Sequence, residues 1–143
     1  MSTIHSHFTD IKSLRTHYLR GGAGTPLILL HGWPEWSHVW RPVMSRLVGR
    51  FDLIAPDFRG FGDTQKPGLQ PAKNATPDAL ASDILALADL LGLERFGIVA
   101  HDVGGFVAQV IARRAPQRVQ GLFFFNCAYP GIGARWVEPR HLL

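Results

Sequence analysis

The 143-residue sequence predicts an α/β fold, a mostly parallel, twisted sheet with helices on both faces. Three observations carry this. Short apolar runs of strand type alternate with stretches of helical apolar spacing from residue 26 to residue 126, the order that builds strand–helix–strand units. The connections between them are short throughout. The first of these runs, residues 26–30, is apolar at every position, as a strand covered on both faces must be.

Taken in order, residues 5–20 alternate weakly around Ile11, Leu14, Tyr18 and Leu19 and predict one or two edge strands. Gly21-Gly22-Ala23-Gly24 marks a turn. The strand over 26–30 ends in His31-Gly32-Trp33-Pro34-Glu35-Trp36, and after Ser37 the apolar residues Val39, Trp40, Val43, Met44, Leu47 and Val48 recur at helical spacing. Trp36 and Trp40, spaced for one helix face, read as core. Residues 51–56 form a second parallel strand, followed by the glycine-rich loop Asp57-Phe58-Arg59-Gly60-Phe61-Gly62-Asp63. Thr76 is suited to cap the next helix, with Pro77 and Asp78 in its first turn, Leu80, Ile84, Leu87 and Leu91 on its apolar face, and Gly92 as its stop. A strand from Phe96, a helix over 106–112 closed by Pro116, and a strand over 119–126 with three consecutive phenylalanines complete the pattern.

Composition narrows the function. At 46% hydrophobic and 18% charged the chain is ordinary globular protein. The net charge of +4 comes from scattered arginines, with only Arg113-Arg114 adjacent, so no basic stripe suits nucleic acid. No Gly-x-Gly-x-x-Gly follows a strand and no phosphate-loop lysine is present, which argues against a nucleotide. No metal-ligand cluster is visible, so neither metal nor cofactor is expected. The single cysteine, Cys127, fits a reducing compartment, and its phenylalanine neighbours suggest a buried thiol. Residues 1–10 lack the apolar core of a signal peptide and no apolar run has the length of a membrane span. A cytoplasmic protein without membrane partners is expected.

The stretch Phe96-Gly97-Ile98-Val99-Ala100-His101-Asp102-Val103-Gly104-Gly105 is an apolar strand turning directly into a helix, with Asp102 at the apex. So tight a turn crowds its backbone, and the positions two before and two after the apex are the small Ala100 and Gly104. This is the pattern of a nucleophile elbow, with an acid where serine is commoner. A helix N-terminus favours an ionised carboxylate there. Because reactive loops of such sheets lie at the carboxyl ends of the strands, His31-Gly32-Trp33, Asp57-Phe58-Arg59 and His101-Asp102-Val103 are expected to meet at one edge.

These motifs, His31-Gly32-Trp33-Pro34, Asp57-x-Arg59-Gly60-x-Gly62 and His101-Asp102-x-Gly104-Gly105, resemble the α/β-hydrolase family in its aspartate-nucleophile branch, the epoxide hydrolases and related dehalogenases, from about Phe8 to about Tyr129. The resemblance implies that the Asp102 carboxylate attacks carbon, leaving an alkyl ester that a histidine-activated water hydrolyses. It also implies that the backbone N–H groups of Trp33 and Val103 form the oxyanion hole, and that Trp33 and Pro34 line the pocket. His31 and His101 are expected to buttress the turns, and Asp57 and Arg59 to lock their loop as an ion pair. His141 reads as solvated.

Among substrates, the haloalkane type carries a tryptophan after the nucleophile and an asparagine after the first His-Gly, where this chain has Val103 and Trp33. The fluoroacetate type carries arginines one and four positions after the nucleophile, where this chain has Val103 and Phe106. A small apolar organic substrate, an epoxide, is therefore expected, with a dehalogenase of the same branch as the alternative.

The family's fold takes roughly 200 to 300 residues, with the histidine and its acid after the nucleophile. By resemblance, residues 1–127 are the N-terminal half of the hydrolase core and 128–143 the connection into a cap domain that the sequence does not include. The expected partner is the C-terminal half of the same enzyme, and the strand over 119–126 is expected to be an open apolar edge. A non-catalytic half acting in assembly is the reading from another class.

Overall fold

A computed structural model of the chain describes residues 3–68 and 71–127. Its centre is a six-stranded sheet built from β1 (Ile4–Ile11), β2 (Leu14–Gly22), β3 (Thr25–Leu30), β4 (Phe51–Pro56), β5 (Phe96–His101) and β6 (Val119–Phe125), in the order β1-β2-β4-β3-β5-β6. β3 pairs in parallel with both β4 and β5, and β5 with β6, while β1–β2 and β2–β4 are antiparallel. The expected parallel sheet is therefore present, with an antiparallel hairpin at one side. Only β1 of that hairpin is an edge, because β2 is enclosed by β4.

Among the described residues, four α-helices accompany the sheet: α1 (Arg41–Leu47), α2 (Pro71–Asn74), α3 (Pro77–Leu90) and α4 (Val103–Arg114). β3 shows why its sequence is apolar from Pro26 to Leu30. Ile28 and Leu30 pack with Leu80, Ile84 and Leu87 of α3 and Val107 and Ile111 of α4 on one face. Leu29 packs on the other face with Met44 of α1, Trp40 and Val48. Alternate strand residues point to opposite faces, so two helix layers require two apolar sets.

The α3 start is as the sequence predicts: Thr76 Oγ1 accepts from the Ala79 N–H at 3.2 Å and Pro77 occupies the first turn. Two expectations change. The helix after Ser37 is broken into a 3-10 turn over Ser37–Trp40 followed by α1, with Pro42 in the first turn of α1. Trp36 precedes that turn in an extended conformation (φ −151°, ψ −178°), so the helical spacing that relates it to Trp40 does not apply. Trp40 is core, but Trp36 is exposed and its indole N–H donates to His38 Nδ1 at 2.8 Å.

On β6, Leu122, Phe123 and Phe125 are exposed, and among the described residues this strand pairs with β5 alone. Cys127 is half-buried against Gly105 and Gln109, and burial pushes its thiol pKa up, with the nearby Asp102 charge adding to the effect. The connection expected over 128–143, and His141 with it, lies outside the described residues.

Candidate active site

The register Leu30↔Ala100 brings the carboxyl ends of β3 and β5 side by side. The loop that begins at His31 and the turn that begins at His101 therefore leave the sheet together. Asp102 sits between β5 and α4 with φ 51° and ψ −118°. A non-glycine residue at positive φ costs about 1 to 3 kcal/mol and persists only where its surroundings hold it.

The surroundings do so by close approach. A Cβ on Gly104 would stand 2.5 Å from the Leu30 carbonyl oxygen and 2.7 Å from that of His31. This is the crowding that the elbow pattern predicts two residues past the apex. A Cβ on Gly32 would stand 2.7 Å from Asp102 Cβ, so the second glycine that the turn needs lies on the neighbouring loop.

The Asp102 carboxylate is held by the loop after β3. Trp33 N–H donates to Asp102 Oδ1 at 2.9 Å. This bond is the main reason that the Asp102 pKa lies below the ordinary carboxylate value, and it outweighs partial burial; the Val103 N–H and nearby His101 add to it. Of the two backbone groups that the sequence nominates, the Trp33 N–H makes the hydrogen bond to this carboxylate, and the Val103 N–H favours its ionised form. Trp33 itself is 68% exposed and Pro34 is exposed as well, so both stand at the rim.

His31 and His101 buttress their turns. His31 is fully buried, accepts the Phe58 N–H on Nε2 at 3.1 Å and donates from Nδ1 to the Gly32 carbonyl at 2.8 Å. Accepting on one nitrogen and donating from the other requires neutral imidazole, and burial lowers its pKa accordingly. His101 Nδ1 lies 3.1 Å from Glu35 Oε2, and its ring stacks on Phe125. Sequence reasoning passed over Glu35. Its only signal is a carboxylate in the same turn as Trp33, since its partner is 66 residues away.

Asp57 and Arg59 do not pair with each other, contrary to expectation. Asp57 points inward: Oδ1 accepts from the Ser37 N–H at 2.7 Å, and Oδ2 accepts from the Asp63 N–H and from His17 Nδ1, each at 2.8 Å. Burial opposes its ionisation, but these donors prevail and hold its pKa below the ordinary value. Arg59 reaches the other way, to α3, where Nε and Nη2 each lie 2.6 Å from an Asp83 carboxylate oxygen. His17, Asp57 and Asp63 bring ligand-type atoms within 4.8 Å of one another, a cluster the sequence did not reveal. Asp57 Oδ2 already accepts two protein hydrogen bonds there, so the cluster is built as a hydrogen-bond acceptor for its loop.

Residues 25–133 match the family model described as alpha/beta hydrolase fold. The chain is 40% identical over 133 residues to the soluble epoxide hydrolase of Corynebacterium sp. (strain C12), covering 92% of this chain and 45% of that protein. It is 34% identical over 134 residues to epoxide hydrolase 4 of Homo sapiens, covering 91% and 36%. It is 36% identical over 114 residues to a fluoroacetate dehalogenase of Burkholderia sp, covering 79% and 38%. Among solved structures, epoxide hydrolase CorEH without ligand superposes with a TM-score of 0.82 at 34% identity, covering 96% of this chain and 50% of that one. The chain thus spans less than half the length of these curated relatives. No helix among the described residues is long and apolar enough to cross a membrane.

Proposed function

The chain belongs to the alpha/beta hydrolase fold family, and on that premise we propose that Asp102 is the nucleophile of an epoxide hydrolase-like reaction on a small apolar substrate. One Asp102 oxygen attacks an epoxide carbon, the ring C–O bond breaks, and an alkyl ester forms while the alkoxide takes up a proton. The observation that carries this reading is the Trp33 N–H bond to Asp102 Oδ1. In the ester, Oδ1 becomes the carbonyl oxygen and already faces a donor. Attack of water on the ester carbon then places the new negative charge on that oxygen, where Trp33 and Val103 stabilise it. Losing one such donor costs about 3 kcal/mol of barrier.

The histidine that activates water, its acid partner and the proton donor for the alkoxide are proposed to come from the C-terminal half of a longer cytoplasmic enzyme. Of the described histidines beside Asp102, His31 is bound to backbone through both ring nitrogens and His101 Nδ1 is paired with Glu35, while His17 stands across the sheet on β2. Without that half, the ester is expected to accumulate.

A dehalogenase of the same branch would use the same ester with a halide as leaving group, and the similarity to a fluoroacetate dehalogenase keeps it in view. Val103 and the exposed Phe106 supply no cation beside Asp102 for an anionic haloacid, which favours the epoxide.

The test is intact-mass and peptide-mass analysis after incubation with a styrene-type epoxide and, separately, chloroacetate. An adduct of the epoxide's mass on the peptide containing Asp102, absent in Asp102→Asn, is expected. No adduct on the Asp102 peptide, or an adduct that persists in Asp102→Asn with deamidation checked by mass, would overturn the assignment.

A further inference from the structure

Away from Asp102, three residues from three strands or their ends form one hydrogen-bonded line. Ser6 Oγ lies 2.7 Å from His17 Nε2, and His17 Nδ1 lies 2.8 Å from Asp57 Oδ2. His17 and Asp57 are buried, whereas Ser6 is exposed on the edge strand β1. β2, which carries His17, is separated from β5 by β4 and β3, so the imidazole's strand stands roughly 14 Å across the sheet from the strand that ends at Asp102.

The protons on this line are fixed by what surrounds it. Asp57 is an anion that takes N–H bonds from Ser37 and Asp63 as well as from His17. A carboxylate can only accept, so His17 carries a proton on Nδ1, and in the neutral imidazole Nε2 then presents its lone pair to the Ser6 hydroxyl. The imidazole cannot turn away easily. Its backbone N–H is bound to Thr64 Oγ1 at 2.9 Å, its carbonyl accepts the Asp57 N–H at 3.0 Å, and its ring lies against Phe8 and His38. A hydroxyl donating to an imidazole that in turn donates to a buried carboxylate is the arrangement that activates serine in unrelated folds.

One N–H is also available for developing charge. The His17 carbonyl bonds toward β4 through Asp57, so in the β1–β2 ladder Phe8↔His17 is a non-hydrogen-bonded pair. By the alternation of an antiparallel ladder so is Ser6↔Leu19. The Ser6 N–H therefore points off the sheet edge and not toward β2.

We propose that Ser6, His17 and Asp57 constitute a second, independent nucleophilic site that takes activated acyl and phosphoryl electrophiles such as aryl esters and fluorophosphates. Ser6 Oγ attacks the acyl carbon and its proton passes to His17 Nε2. The bond from the acyl carbon to the aryloxy oxygen then breaks, the aryloxide leaves with that proton as a phenol, and Ser6 is left as an acyl ester. With one backbone donor for the oxyanion, the site suits electrophiles with good leaving groups.

The probe is diisopropyl fluorophosphate, from which Ser6 would displace fluoride at phosphorus as its proton passes to His17. The molecule carries its own controls in Ser13 and Ser45, exposed serines away from any such line. Peptide mapping is expected to find the label on Ser6 at least tenfold faster than on Ser13 or Ser45, with the preference lost in the urea-unfolded chain and the label absent in Ser6→Ala. His17→Gln, which keeps polar atoms but not the imidazole base, is expected to lower the Ser6 rate to that of the control serines. No label on Ser6, a rate equal to that of Ser13 and Ser45, or a folded His17→Gln that labels like the parent would each overturn the proposal.

Discussion

Trp33 and Asp102 lie 69 residues apart in the chain and are joined by a 2.9 Å hydrogen bond from the backbone of one to the carboxylate of the other. The bond links the loop after β3 to the turn after β5, and it leaves Asp102 more acidic than an ordinary aspartic acid. Nucleophilic attack needs the anion. The rate of epoxide-adduct formation is therefore expected to stay level as pH falls from about 8 toward about 4, and to drop only below the ordinary aspartate value of about 3.9. Adduct mass against pH, with circular dichroism recorded in parallel, checks this. An acid limb well above that value in a folded sample would count against the anion.

Gly104→Ala tests the close approach under the elbow. The added methyl would meet two backbone carbonyl oxygens, which cannot swing aside as a side chain can. A loss of about 1 to 3 kcal/mol is expected in urea unfolding. Gly49→Ala meets nothing within 4 Å and is expected to change stability by less than about 0.5 kcal/mol.

Asp83→Ala tests the link between the Asp57–Asp63 loop and α3. The guanidinium fork of Arg59 would lose both bonds while remaining only 20% exposed. A stranded, partly buried charge costs several kcal/mol in a sealed interior, and solvent access reduces this to about 2 kcal/mol here. A double-mutant cycle with Arg59→Ala is expected to recover about 1 to 2 kcal/mol as coupling, whereas additive losses would mean that the pair is idle.

His31 predicts an acid-sensitive fold. Its folded pKa lies below the ordinary imidazole value because of burial, so just below about pH 6.5 the unfolded chain binds a proton that the folded chain refuses. Stability is thus complete above that pH and declines as pH falls through it. The urea midpoint is expected to be lower at pH 5.5 than at pH 7.5, and His31→Gln is expected to reduce the difference. His7, whose pKa is also lowered by burial, contributes its own share, which His7→Gln removes.

What could be read from the sequence was whatever depends on neighbours a few residues away. The β3 run, the Thr76 cap and the small residues around Asp102 are each local requirements, and each has its counterpart in the structure. Arg59 was not legible in this way. Its choice of Asp83 over the nearer Asp57 depends on α3 lying over its loop, 24 residues on. Trp36 was misplaced because spacing assumes a helix already in progress, and the chain is still extended there. The Ser6–His17–Asp57 line has no signature at all until β1, β2 and β4 are set side by side.

The pairing Leu30↔Ala100 has a consequence for how a preparation would misbehave. Trp33 and Asp102 are carried by adjacent strands, so the distance between them is set by ladder register. Sliding β5 by two residues along β3 preserves every inward and outward face yet displaces the elbow by about 6.6 Å. No intermediate alignment satisfies the ladder. Imperfectly folded material would accordingly contain fewer competent molecules and not slower ones, and titration of reactive Asp102 per mole of chain would fall while the rate constant of the reacting fraction stayed the same.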